Sequence, residues 1–165
     1  MKMKEINIFQ PLIGQTIVSL QRLIVLGNDY TENGYYESDT LIFVLSNDSC
    51  FETLVTSEYT VLKKITGKQD FIINFPLESN ETIDTVLISE KIELPFTVAS
   101  IIEIWAGESD SFLVAVDFLN KNKKSYFSIL TETDEINILK SQALKPIINK
   151  MIFDYRFISH KWYAY

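Results

Sequence analysis

The apolar residues of this chain fall mostly in short runs that are rich in Ile, Val, Thr, Phe and Tyr and are bounded by Asn, Asp, Ser or Gly. This pattern is typical of strands, because β-branched and aromatic side chains pack well on a pleated surface. It predicts a mainly β chain. The predicted strands cover residues 16–26, 40–46, 50–57, 70–75, 96–105, 111–119, 125–131 and 151–163, with a weaker strand in 79–88.

Two hairpins are predicted where turn-forming residues separate a pair of strands. Asn47, Asp48 and Ser49 lie in the first gap, and residues 120–123 lie in the second. Asn, Asp and Ser tolerate turn geometry, so each flanking pair of strands should be antiparallel.

A short helix is predicted near the C-terminus, over residues 141–151. Ser141 is suited to cap its start, and apolar residues follow at helical spacing. Pro146 is compatible with this helix only in the first turn or two. One short C-terminal helix beside many strands predicts an α+β fold that is predominantly antiparallel β.

A faint internal similarity indicates two similar β-meanders packed together. Each half has a β-type run, a polar connection that contains a glycine, and then a hairpin. This repetition at a spacing of roughly 70 to 80 residues is the kind of signal that a duplicated architecture leaves in a sequence. The matching runs are residues 17–20 with 98–101, 41–44 with 112–115, and 50–54 with 126–130.

Length and charge limit the classes of protein. With 165 residues, the chain is predicted to form a single globular domain over residues 1–165. A net charge of −7 with only two arginines argues against nucleic acid and anionic membranes as partners, because both require basic contacts. The lone Cys50 excludes an internal disulfide, and the N-terminus shows no secretory pattern, so we expect a cytoplasmic protein.

The chain has few of the histidine and cysteine residues that catalytic and metal sites commonly use. It has one histidine, His160, and one cysteine, so a three-histidine zinc site is excluded. A surface histidine and a buried Cys50 are simpler interpretations than a Cys–His dyad. The five glycines form no phosphate-binding loop, and residues 29–40 resemble a calcium loop only until Thr40, where a bidentate Glu is required. We predict no catalytic residues, no metal, no cofactor and no enzymatic activity.

The main functional clue is an acidic stretch without local cations. Between Leu23 and Leu62 the chain has seven carboxylates and no Lys or Arg. Tyrosines in this stretch offer contact area, and the carboxylates attract cations. A connection as long as residues 27–39 favours either a functional role or disorder. The predicted partner-binding residues are Asp29, Tyr30, Glu32, Tyr35, Tyr36, Glu37, Asp39, Asp48 and Glu52.

These features favour a binding or inhibitor protein. The leading hypothesis is a bacterial immunity-type protein that neutralises a basic toxin, for example a nuclease, by occluding its active site. A second hypothesis is a small-molecule-binding or enzymatic β-barrel with an interior pocket near Glu103 and Trp105, although strand alternation that turns Glu103 to solvent is simpler. A third is a structural subunit of a larger assembly, which would expose apolar β surface.

Overall fold

Two antiparallel sheets share one hydrophobic core in the computed structural model. The structure describes residues 8–27, 34–55, 60–67, 70–71, 77–108, 112–131, 136–154 and 158–164, without the side chains of 152–154. The first sheet contains β1 (Thr16–Leu26), β2 (Tyr35–Leu45), β3 (Cys50–Val55), β4 (Thr60–Ile65), β5 (Thr82–Leu87) and β6 (Phe96–Thr97). The second contains β7 (Ser100–Ala106), β8 (Phe112–Leu119), β9 (Ser125–Leu130), β10 (Asn137–Lys140) and β11 (Ile158–Ala164).

Both sheets have the same strand order. The first runs β4-β3-β2-β1-β5, with β6 also paired to β1, and the second runs β10-β9-β8-β7-β11. Each is a four-stranded meander whose first strand is joined on its other side by a strand from later in the chain. The predicted pair of similar meanders is therefore confirmed, and the runs matched by sequence fall on or beside β1 and β7, on β2 and β8, and on β3 and β9.

The core between the sheets follows from the two-residue period of the strands. On β2, Leu41, Phe43 and Leu45 are buried against the second sheet. The intervening Ile42 lies on the opposite face of the first sheet, in a small cluster with Leu23 and Ile65. Both faces of this strand are therefore apolar in its second half.

Four phenylalanine rings join the sheets at the centre of the core. Phe9 makes edge contacts with Phe43 of the first sheet, at a centroid distance of 6.4 Å, and with Phe118 of the second sheet, at 6.0 Å. Phe118 also stacks on Phe127 at 4.6 Å. Phe9 precedes a 3-10 helix, Gln10–Leu12, whose Leu12 is likewise fully buried, so the Phe9 and Leu12 side chains fill space between the two sheets.

The two predicted hairpins are confirmed. Asp48, with φ of 65°, adopts the left-handed conformation in the β2–β3 turn, and the Asn47 side chain accepts a hydrogen bond from the Ser49 N–H at 3.1 Å. In the β8–β9 turn, Lys123 has φ of 59° and the Asn120 side chain accepts a hydrogen bond from the Asn122 N–H. Local side-chain bonds of this kind are why Asn and Asp favour turns.

The α-helix α1 (Leu144–Asp154) packs on the face of the second sheet that points away from the first. It begins three residues later than predicted. Ser141 does not cap it, because its hydroxyl donates to the Ser125 carbonyl at 2.7 Å, and Gln142 has a left-handed φ of 70°. Pro146 consequently falls in the first turn, where no helical N–H is lost.

The prediction of a strand over residues 151–163 was wrong in its first part, because Met151 continues the buried face of α1 that Leu144 and Ile148 begin. Helical spacing and strand alternation compete in this aromatic segment, and packing on the second sheet decides for the helix. Residues 155–157 lie outside the described residues, as do residues 72–75 of the predicted strand 70–75.

Several strands differ from the sequence prediction in their boundaries or were not predicted. β2 begins at Tyr35 rather than at residue 40, since pairing with β1 extends to Leu26. The predicted strand 96–105 is divided into β6, which pairs with β1, and β7, which belongs to the second sheet. β4 and β10 were not predicted, because lysines interrupt β4 and β10 has only 4 residues.

Replacing Phe118 with alanine should lower the free energy of unfolding by about 3–5 kcal/mol, because the ring is fully buried among three other rings. The matched control is Phe112→Ala on the same strand, where the side chain is 40% exposed and the expected loss is about 1 kcal/mol or less. Urea denaturation followed by circular dichroism measures both. Equal losses would contradict the placement of Phe118 in the shared core.

Candidate functional site

The predicted acidic recognition loop is partly a strand. Tyr35, Tyr36, Glu37 and Asp39 lie in the first half of β2, and we call these four residues the acidic strand end. Asp29, Tyr30 and Glu32 lie outside the described residues.

Two members of the acidic strand end are clearly open to solvent. Tyr36 is 43% exposed, and the Glu37 side chain is 54% exposed. Consecutive residues of a strand point to opposite faces, so both faces of β2 reach solvent here. This end of the strand can therefore be approached from either side.

A cation that the charge pattern did not anticipate, Arg22, lies beside the acidic strand end. The Arg22 Nε lies 3.9 Å from a Glu37 carboxylate oxygen, and the Arg22 Nη2 donates to the Ile136 carbonyl at 2.6 Å. Arg22 thus joins β1 to the segment that leads into β10. A pair at this distance whose carboxylate is 54% exposed contributes little stability, but it offsets part of the negative charge of Glu37.

Asp48 and Glu52 do not lie beside the acidic strand end. Asp48 is exposed in the turn at the other end of β2, and a strand of 11 residues spans roughly 33 Å at about 3.3 Å per residue. Glu52 on β3 is fully buried, where its neighbours on the adjacent strands are Ile42 and Lys63. The contiguous surface is therefore smaller than the sequence implied, and Glu52 is not part of any surface.

Glu103 is fully buried on β7 and does not turn to solvent, contrary to the simpler sequence interpretation. Its Oε1 accepts hydrogen bonds from the N–H groups of Ile8, at 2.9 Å, and Phe9, at 3.2 Å. Its Oε2 accepts one from the Trp105 indole N–H at 3.2 Å. Both carboxylate oxygens are thus engaged within the chain, which is a structural arrangement rather than a ligand site.

The environment of Glu103 acts on its ionisation in two directions. Burial raises the pKa of this carboxyl above its ordinary value of 4.5, while the N–H donors of Phe9, Trp105 and Ile8 and the charge of Lys161 partly offset the rise. Lys161 pairs with Glu103 across β11 and β7, and its ammonium lies 5.7 Å from the centre of the Trp105 ring. The charged form is therefore costly to bury but well supplied with donors.

A cleft of about 830 Å³ lies between α1 and the second sheet, on the face opposite the shared core. Its apolar lining includes Ile102 and Ile104 from β7 and Leu144 from α1. Asp117 on β8 also lines it and is half-buried. Burial raises the pKa of Asp117, and hydrogen bonds from Ser125 and Ser128 oppose that rise. Sequence reasoning missed this site, although an acid inside the apolar run of residues 112–119 was the available signal.

His160 and Cys50 do not form a dyad. His160 is exposed on β11 and lines the cleft, whereas Cys50 is half-buried on β3 in the other sheet. His160 pairs with Ile104, and Asp117 pairs with Ile102. His160 and Asp117 therefore lie two strands and two residues apart, so their Cα atoms are separated by roughly 12 Å at about 4.8 Å per strand and about 3.3 Å per residue. This is too far for a direct hydrogen bond between the side chains.

Comparison with protein-family models, with curated protein sequences and with solved structures found no match. Among the described residues, no group of three His, Cys, Asp or Glu side chains is placed to hold a metal ion. No helix in the described part of the chain is both long and apolar enough to cross a membrane.

Glu103→Ala should lower the free energy of unfolding by about 3–5 kcal/mol, because three N–H donors, two of them in buried hydrogen bonds, lose their acceptor. Glu103→Gln should cost less, since one oxygen is kept and no charge is buried. The folded-state pKa lies above the unfolded value, so the proton stabilises the native state fully below about 4.5 and this contribution is lost as pH rises through the folded-state pKa.

The wild type should therefore gain stability relative to Glu103→Gln as pH is lowered from neutral towards 4.5. Guanidinium denaturation at a series of pH values measures this difference. A difference that does not change with pH would show that Glu103 is not held with a raised pKa.

Proposed function

We propose that this chain is a binding protein that recognises a basic protein partner through the acidic strand end, as an immunity-type protein would occlude a toxin active site. The observation that carries the proposal is the exposure of Tyr36 beside Glu37 at a strand end open on both faces. Tyrosine supplies amphipathic contact area with few rotatable bonds, and carboxylates direct the approach of a cationic surface.

The net charge of −7 supports the same proposal at longer range, because a negative field accelerates encounter with a basic protein. Asp29, Tyr30 and Glu32 precede the strand by only a few residues, so we include them in the proposed contact surface. Asp48 and Glu52 are left out on the grounds of distance and burial.

The structural-subunit alternative has weaker support. The large apolar side chains that are exposed among the described residues lie on five different strands. They are Val18, Tyr36, Leu87, Phe112 and Trp162. Single exposed apolar residues are ordinary on a protein surface and need no partner to explain them.

The triple variant Asp29→Asn, Glu32→Gln, Glu37→Gln should weaken partner binding by roughly tenfold or more and reduce its salt dependence. The control triple variant Asp48→Asn, Glu78→Gln, Glu93→Gln removes the same charge from exposed positions elsewhere and should bind nearly as the wild type does. The partner is first captured from lysate of the native host at low salt, identified by mass spectrometry and purified. Calorimetry at two salt concentrations then measures affinity.

The proposal also requires that the captured protein be basic and that a biochemical activity of it be inhibited at a stoichiometric ratio. Equal weakening by both triple variants would indicate general charge attraction without a defined surface. Retention of full affinity by the first variant would exclude the acidic strand end as the contact.

A further inference from the structure

The cleft between α1 and the second sheet has the dimensions of a small-molecule site. Its volume of about 830 Å³ lies within the range of roughly 300–1,000 Å³ that ligand pockets occupy. Side chains from α1 and from β7 form its apolar walls, including Ile104, Pro146 and Ile148. Neither the shared core nor the acidic strand end contributes to it.

Asp117 gives this cleft a recognition group. Its Oδ1 accepts hydrogen bonds from the hydroxyls of Ser125, at 2.6 Å, and Ser128, at 2.8 Å. No group of the described residues donates to its other oxygen, Oδ2. Two hydroxyls therefore fix the orientation of the carboxylate, while one oxygen keeps its full capacity to accept a hydrogen bond from a ligand.

We propose that the α1 cleft binds a small organic amine, with the ammonium group on Asp117 and an apolar body against Ile102, Ile104 and Ile148. A charge-assisted hydrogen bond between an ammonium and a half-buried carboxylate is stronger than one between neutral groups. The apolar walls favour a ligand whose remaining surface is hydrocarbon, because its burial releases water from both surfaces.

The other charged or titratable groups at the cleft are on its rim. Lys145 is exposed on α1, and His160 is exposed on β11. A lysine there offers an alternative anchor for a carboxylate ligand, so the experiment must separate an amine from an acid with the same hydrocarbon chain.

Hexylamine, hexan-1-ol and hexanoate are titrated separately into the full-length protein, and binding is followed by two-dimensional ¹H–¹⁵N NMR at pH 7. We expect hexylamine to shift the amide signals of residues lining the cleft and to bind roughly tenfold more tightly than hexan-1-ol. Asp117→Asn should reduce hexylamine affinity by about tenfold or more. Asp48→Asn, an exposed aspartate on the other sheet, is the matched control and should change nothing.

Asp117→Asn could lose stability because Asp117 bridges β8 and β9, so a second variant leaves this carboxylate intact. Asn149 is exposed on α1 and lines the cleft, and Asn149→Trp should fill the space and abolish hexylamine binding while the fold is kept. Equal affinity for the amine and the alcohol, tighter binding of hexanoate, or no binding of hexylamine at millimolar concentration would each overturn the proposal. Success or failure here is independent of partner capture by the acidic strand end.

Discussion

The buried carboxylate of Glu103 is the interaction on which the arrangement of the two sheets depends. It belongs to the second sheet, yet it holds the backbone of Ile8 and Phe9, and the Phe9 ring in turn contacts Phe43 and Phe118 from opposite sides of the core. A charge in this position is costly unless its oxygens are satisfied, and three N–H donors meet that requirement. The segment around Phe9 is therefore an integral part of the core.

Local patterns in the sequence were sufficient to predict much of the fold. The first strand was predicted to the residue, and both turns were predicted because Asn and Asp form their own hydrogen bonds within a few residues. The repeated strand order was visible as similar runs in the two halves. The strand and the turns depend on residues close in sequence, and the repeat is visible by comparing one half of the chain with the other, so the sequence of a single chain is enough to predict them.

What could not be predicted depends on contacts between distant residues. Glu103 lies 95 residues from Ile8, and nothing in the run of residues 101–105 shows which face of β7 is covered. The start of α1 depends on the hydrogen bond that the Ser141 hydroxyl donates to the distant Ser125 carbonyl. The cleft forms because α1 lies across β7 and β8. The burial of Glu52 is a similar case, since its face of β3 is covered by tertiary packing that a charge pattern does not encode.

The common strand order of the two sheets makes the chain comparable to two subunits joined by a connection. Each meander has an apolar inner face that a separate half could bury only against a second copy of itself. Because the two halves are joined in one polypeptide, their sequences need not be identical, as those of two symmetric subunits are. In the described part of the chain, the second half carries an α-helix between its fourth and fifth strands, so the outer surfaces of the two sheets can differ while the interface between the sheets is kept.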